Sequence, residues 1–317
     1  MNAFDKILFG NSPQINAMKR AATLVAAADV PVLILGESGT GKELVATAIH
    51  EESARRDEPF ITINCAALPE QLVESELFGH KKGSFSGAVS DYPGRFRSAE
   101  GGTVLLDEVG ELPIGIQAKL LRFLEYGECQ AVGEAKAVKV NVRVLAATNR
   151  DLEQEISRGR FRQDLFYRLN IVPLTLPPLR QRTGDIDVLL ARLIDAIARD
   201  HQLVPPTFGA DARALLRQYH WPGNVRELRN FCERMTILLG GQEILASNLP
   251  REIQATGAAE KGNNTIRLPD SGVSLGDVEQ ELIRQALIRA AGNKSRAARL
   301  LGLSRDTLNY RIRKYAL

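Results

Sequence analysis

Apolar positions along the chain fall into two regimes. From Gly10 to about Leu176, short apolar runs alternate with segments whose apolar residues recur every three or four positions, the pattern of a parallel sheet covered by helices. The runs predict strands at Val30–Leu35, Phe60–Asn64, Val104–Leu106, Arg143–Ala147 and Ile171–Leu174. Helices are expected between them, notably over Lys42–Glu52 and Ile116–Tyr126. Ser12 before Pro13 has the form of an N-cap with proline at the first helical position, opening a helix to about Ala28. After Pro177-Pro178 the strand signal stops. From Asp185 to Leu249 only helical spacing remains, and Val225, Leu228, Phe231, Cys232, Met235 and Leu239 mark one buried face. Arg251–Ser274 mixes Gly, Asn, Thr and Pro without a period, which predicts a linker. The expected organisation is an α/β subdomain over 1–176, a helical subdomain over 177–250, a linker over 251–274 and an all-α module over 275–317.

Composition narrows the class. A chain of 317 residues, 44% hydrophobic, holds about two domains at roughly 150 residues each and is neither disordered nor a coiled rod. The net charge of +3 names no partner, but Asn293–Leu317 carries seven Lys/Arg and one acid, so the basic charge sits at one end. Cys65, Cys129 and Cys232 lie far apart, in no zinc or disulfide spacing, and read as small core residues. No apolar run approaches the roughly 20 residues of a membrane helix, and no leader pattern opens the chain. A soluble cytoplasmic protein is expected.

Chemistry first appears at Gly36-Glu37-Ser38-Gly39-Thr40-Gly41-Lys42, which follows the first strand and leads into a helix, as a P-loop must. Glycines let backbone N–H groups turn toward phosphate oxygens, the helix N-terminus adds positive potential, and Lys42 places a cation on the β/γ-phosphates. Glu43 stands where the general motif has a hydroxyl for Mg²⁺, so metal binding must lean on another carboxylate. The strand Val104–Leu106 ends in Asp107 and Glu108, which puts Asp107 near the metal and Glu108 where it orients or deprotonates a water. Together these predict hydrolysis of a nucleoside triphosphate, ATP with Mg²⁺.

The segments GESGTGKE (Gly36–Glu43), ELFGHKKGSFSGA (Glu76–Ala88), LLDE (Leu105–Glu108), AATN (Ala146–Asn149), FRQDLFYRL (Phe161–Leu169) and WPGNVREL (Trp221–Leu228) together resemble the AAA+ bacterial enhancer-binding proteins, NtrC-like two-component-type regulators that activate sigma-54 RNA polymerase. The resemblance covers nearly the whole chain and accounts for Glu43, because that family's P-loop commonly reads GKE. It implies an AAA+ ATPase with a helical lid, working as a hexamer or heptamer. Residue by residue, it implies that Asn149 senses the γ-phosphate, that Asn64 can hold Glu108 until the site is primed, and that Arg226 is the sensor arginine of the lid. Arg162 and Arg168 resemble arginine fingers, which can contribute about 10³ to 10⁵ in rate when they reach a transferring phosphoryl group. The nine residues before Gly10 leave no room for a receiver or ligand-sensing domain, which predicts control by a partner in trans or a chain cut from a longer one.

Gly83-Ser84-Phe85-Ser86-Gly87-Ala88 sets an aromatic between glycines after Lys81 and Lys82, a form suited to a loop tip that presents Phe85 to another protein. The resemblance places the family's sigma-54-contacting GAFTGA loop here, with Ser84 for the usual alanine and Ser86 for the usual threonine. At the other end, helices are expected at Asp277–Ala291, closed by Gly292, at Lys294–Leu301 and at Arg305–Lys314, with Gly302-Leu303-Ser304 as a turn. That is a helix-turn-helix, similar to the Fis-type domain that ends many of these activators. Ser304 caps the last helix, Arg305, Asn309 and Arg313 share its outer face toward bases and phosphates, and Lys294, Arg296 and Arg299 suit the DNA backbone. The expected function is ATP-dependent activation of sigma-54 holoenzyme from upstream DNA. The altered loop keeps open a DNA-binding repressor or sigma-54-independent regulator whose ATPase core serves assembly, and an AAA+ remodeller of another substrate class stands as a second alternative.

Overall fold

The predicted apolar runs become one parallel sheet. A computed structural model describes residues 3–255, 272, 274–290 and 292–315. The first region contains, in chain order, α1 (Ala3–Ile7), α2 (Pro13–Ala26), β1 (Val32–Leu35), α3 (Lys42–Glu51), β2 (Phe60–Asn64), α4 (Glu70–Phe78), α5 (Gly94–Ser98), β3 (Thr103–Asp107), α6 (Ile114–Tyr126), β4 (Glu128–Cys129), β5 (Val138–Lys139), β6 (Arg143–Thr148), α7 (Leu152–Ser157), α8 (Gln163–Leu169) and β7 (Val172–Thr175). The sheet order is β2-β3-β6-β1-β7, with every pairing parallel.

β3 and β6 are buried along their length except at Asp107, and β1 is buried as far as Ile34. Such strands read as unbroken apolar runs because helices cover both faces. One face packs Phe4, Ile15, Met18, Val45 and Ile49 from α1, α2 and α3. The other packs Leu77, Phe78, Phe96, Leu120, Phe123 and Leu165 from α4, α5, α6 and α8. Ser12 caps α2 as expected, its Oγ accepting from the Ile15 N–H at 3.4 Å. Cys65, Cys129 and Cys232 are free and buried, and burial pushes the Cys65 and Cys232 thiols up to about 12.

The second region holds α9 (Ile186–Asp200), β8 (Thr207–Phe208), α10 (Ala210–Gln218), α11 (Asn224–Leu239), β9 (Glu243–Ile244) and α12 (residues 251–255). Leu228, Phe231, Cys232 and Met235 form the predicted buried face of α11 and pack around Trp221, with Val225 and Leu239 at its margin. Helical spacing alone does not describe this region, because β8 and β9 pair in parallel over two residues each. The linker also begins later than expected: residues 251–255 are helical and Ile253 joins the lid core. The rest of the expected linker, apart from Gly272 and Ser274, lies outside the described residues.

A separate unit contains α13 (Leu275–Arg289), α14 (Lys294–Leu300) and α15 (Arg305–Lys314). Ile283, Ala286, Ala297, Ala298, Leu308 and Ile312 form its core, with Leu301 packed against it. Ala291, at the end of the first expected helix, lies outside the described residues. Among the described residues, no helix is long and apolar enough to cross a membrane.

Candidate functional site

β1 delivers the chain to the phosphate loop. Its last residues lie beside Thr148 of β6 and Thr175 of β7, and the Gly36 N–H donates to the Thr148 carbonyl at 3.3 Å. Gly39 and Gly41 hold φ of +78° and +104°, left-handed backbone that glycine supplies without steric cost. Thr40 tightens the turn, its hydroxyl donating to the Glu37 carbonyl at 2.8 Å. α3 then starts at Lys42, with Gly41 as its N-cap.

The Lys42 side chain is buried, and Nζ donates to the Gly36 carbonyl at 3.0 Å and to Glu108 Oε1 at 3.3 Å. Glu108 stands just past β3 at φ +53°, and its Oε2 accepts from the Asn149 N–H at 3.1 Å. The carboxylate is thus suspended between the P-loop lysine and the end of β6. Ser38, Gly39, Lys42, Glu43, Asp107, Glu108, Arg226 and Arg229 line the cleft between them, about 230 Å³ in volume. Burial, and then the adjacent Glu108 carboxylate, hold the Asp107 carboxyl above the usual carboxylate range, while Lys42 opposes the rise. A half-buried carboxylate beside a phosphate loop fits Mg²⁺, which is typically held by one or two carboxylates together with substrate phosphates.

The lid closes one side. Arg226 Nη1 donates to Ser38 Oγ at 2.9 Å, and the Val225 and Arg226 N–H groups donate to the Gly39 carbonyl at 2.9 and 3.3 Å. Arg229 was not foreseen as a site residue, although its position three residues after Arg226 puts it on the same helix face. Also unforeseen are Arg180 and Asn224, which bond the Glu37 carboxylate.

Asn64 ends β2 opposite Asp107, with its Oδ1 accepting from the Ala66 N–H at 3.0 Å, while Lys42 and Asn149 hold Glu108. Arg162 and Arg168 do not line their own chain's cleft. Arg162 pairs with Asp164 at 3.0 and 2.6 Å, and Arg168 donates to the Leu124 carbonyl at 3.2 and 2.9 Å. Arg168 is exposed and Arg162 is half-buried.

Gly83 to Ala88 forms a closed loop, with the Gly83 N–H donating to the Ala88 carbonyl at 2.9 Å. Its neck is fastened on two sides. His80 exchanges backbone bonds with Tyr92 at 2.9 Å, and Lys81 and Val132 tie it to the turn after β4. Phe85 is 36% exposed and sets its ring edge-on to His80, with centroids 5.0 Å apart. Ser86 and Gly87 are exposed, Ala88 is buried, and the Ser84 hydroxyl is buried without a partner.

In the C-terminal unit, Asn293 caps α14 by accepting from the Ser295 and Arg296 N–H groups, both at 3.1 Å. Ser304 caps α15 as expected, accepting from the Thr307 N–H at 3.1 Å, and Gly302 makes the turn at φ +65°. Lys294, Arg296, Arg299, Arg305 and Arg313 are exposed and Asn309 is half-buried. Arg311 on the same helix turns inward to Glu279 of α13, which also accepts from the Tyr315 hydroxyl at 2.6 Å.

Comparison with known proteins agrees with this layout. Residues 8–175 match the family model of the sigma-54 interaction domain, residues 180–266 that of an AAA+ ATPase lid domain, and residues 274–315 that of the bacterial regulatory proteins of the Fis family. The chain is 44% identical over 314 residues to the response regulator protein PilR of Pseudomonas aeruginosa, covering 99% of this chain and 70% of PilR. It is 47% identical over 301 residues to the transcriptional regulatory protein ZraR of Salmonella typhimurium, covering 95% and 67%. Among solved structures, NtrX from Brucella abortus superposes with a TM-score of 0.73 at 36% identity, covering 97% of this chain and 69% of NtrX. Its complex with ATP gives 0.72 at 35%, covering 98% and 69%.

Proposed function

The chain belongs to the AAA+ sigma-54 activator family and carries that family's Fis-type helix-turn-helix, and from that premise we propose that it hydrolyses ATP to remodel sigma-54 RNA polymerase holoenzyme bound at a promoter. The observation that carries the reading is the Glu108 carboxylate, held between Lys42 and the end of β6 across the cleft from the phosphate loop. Phosphate oxygens arriving at Lys42 compete for its ammonium protons and free Glu108 to orient a water and take its proton as the terminal phosphoryl group departs. Backbone N–H groups at the helix end of the loop, from Gly39, Gly41 and Lys42, bind the phosphates, and Arg226 brings the lid to the same charge. Asp107 would hold Mg²⁺ together with the phosphates, and the ion would offset their charge.

Arg162 and Arg168, absent from their own cleft, act on a neighbouring copy's nucleotide in a ring of six or seven subunits, and Asn149 reads whether the γ-phosphate is present. The Phe85 loop then meets sigma-54, while Arg305, Asn309 and Arg313 read upstream DNA and Lys294, Arg296 and Arg299 hold its backbone. The test is transcription in vitro from a sigma-54 promoter, with ATPase rate measured against protein concentration. Activation is expected to vanish in Lys42→Ala, and the specific ATPase rate is expected to rise with concentration. Full activation by Lys42→Ala would remove the hydrolytic step.

A further inference from the structure

The first acid of the phosphate loop turns toward the lid and does not line the cleft. Glu37 lies between Gly36 and Ser38, yet its carboxylate is occupied on the lid side. Arg180 donates from Nη1 to Oε2 at 2.7 Å and from Nη2 to Oε1 at 2.6 Å, the parallel bidentate form that fixes both groups in orientation. Asn224 Nδ2 adds a bond to Oε2 at 3.2 Å and another to the Ser38 carbonyl at 3.0 Å.

Arg180 belongs to the 3-10 turn Leu179–Gln181, where the chain passes from β7 into the lid. Asn224 is the first residue of α11, fully buried, and held at φ +52°, a left-handed conformation that persists in a non-glycine residue where its surroundings over-determine it. The surroundings do so here, because Asn224 Oδ1 also accepts from the Leu179 N–H at 2.8 Å. One amide therefore joins the phosphate loop, the turn after β7 and the lid helix. The ion pair with Arg180, helped by Asn224, holds the Glu37 carboxyl down to about 2, so the joint stays charged across the neutral and mildly acidic range.

We propose that Glu37 is a positioning residue that keys the lid to the phosphate loop through Arg180 and Asn224, so that the position of the loop sets the angle at which Arg226 enters the cleft. The consequence for turnover rests on the ATPase reading, but the joint itself can be examined without nucleotide. A residue that touched nucleotide would weaken binding when changed, whether or not Arg180 were present. A residue that acts through Arg180 loses its effect once Arg180 is gone.

The experiment uses the full chain as Glu37→Gln, Arg180→Gln and the double variant. Amide exchange is followed without nucleotide over residues 176–186 and 221–230, with β3 and β6 as internal reference for folding. Each single change is expected to speed exchange in both segments about fivefold, the scale of coupling a well-formed, partly exposed ion pair can support, and the double change to add nothing further. For ATP turnover, kcat should fall by a similar factor, with ADP affinity altered less than about twofold, since no phosphate contact is lost. Exchange at the wild-type rate, effects that multiply in the double variant, or a loss of ADP affinity confined to Glu37→Gln would each overturn the proposal. Should the wild-type chain neither bind nor hydrolyse ATP, the ATPase reading fails while the exchange comparison still decides the joint.

Discussion

Gly39→Ala tests how tightly the lid is seated. A Cβ at this position would lie 2.3 Å from the Gly223 carbonyl oxygen and 3.0 Å from Arg226 Cβ, on a residue whose φ is +78°. Ordinary contact begins near 3.4 Å, so the lid backbone must withdraw by about 1 Å. That movement gives up the bonds from the Val225 and Arg226 N–H groups to the Gly39 carbonyl, at 2.9 and 3.3 Å. Two such bonds are worth about 1 kcal/mol each and a left-handed alanine costs about 1–2 kcal/mol, roughly 3–4 kcal/mol in all. For a unit of this size the melting temperature should fall by roughly 6–16 °C. Gly159→Ala separates the contributions, since Gly159 has φ +69° and nothing within 4 Å of its would-be Cβ, leaving only the backbone strain. Calorimetry of both variants without nucleotide, paired with ADP titration, provides the comparison. If Gly39→Ala melts and binds as Gly159→Ala does, the lid is not seated on the phosphate loop in the way the distances require.

Asp107→Asn is expected to raise the melting temperature of the nucleotide-free protein while abolishing Mg²⁺-dependent hydrolysis. A carboxyl whose folded pKa is raised favours its protonated form, so the wild-type gains stability from this group as pH falls through the raised value and loses it as pH rises, and the Asn variant should lack that slope. A lower melting temperature at neutral pH would count against the burial argument. Ser84→Ala removes a buried hydroxyl without a partner and should make the Phe85 loop about tenfold more resistant to proteolysis, since such a group costs roughly 1–3 kcal/mol; unchanged cleavage would mean the hydroxyl is satisfied in solution. Asn309→Ala should weaken binding to the cognate DNA site with little change in salt dependence, whereas Arg299→Ala should weaken all DNA alike and reduce the salt slope by about 1. Fluorescence anisotropy at several salt concentrations separates the two, and the same loss of specificity in both would refute the assignment.

Much of this layout can be read from the chain. β1, β3 and β6 were legible because burial on both faces leaves unbroken apolar runs, β2 and β7 were legible as shorter apolar segments, and the observed limits of all five differ from the predicted ones by no more than a residue or two. β4, β5, β8 and β9 were not, since two-residue strands carry no period to detect. The phosphate loop announces itself through glycine spacing. Its partners Arg180 and Asn224 do not, because they stand 143 and 187 residues away and only folding brings them to Glu37. Strand pairing puts Asn64 at the expected edge, and a local turn fixes its Oδ1 on the Ala66 N–H, a bond that sequence position does not reveal. Likewise Arg311 looks like any other cation of α15 until Glu279, on another helix, claims it.

Trp221 is the chain's single tryptophan, and it lies fully buried two residues before Gly223, whose carbonyl meets the phosphate loop. Its indole N–H is bonded to the Leu216 carbonyl at 2.9 Å, and Phe231 and Tyr219 pack edge-on around it. The protein therefore carries an unlabelled optical gauge beside the seat of the lid on the phosphate loop. Any change in the ultraviolet emission above the tyrosine background as ligand is titrated in comes from one indole in one known place, and stopped-flow recording of that signal would time the lid against product release without a dye.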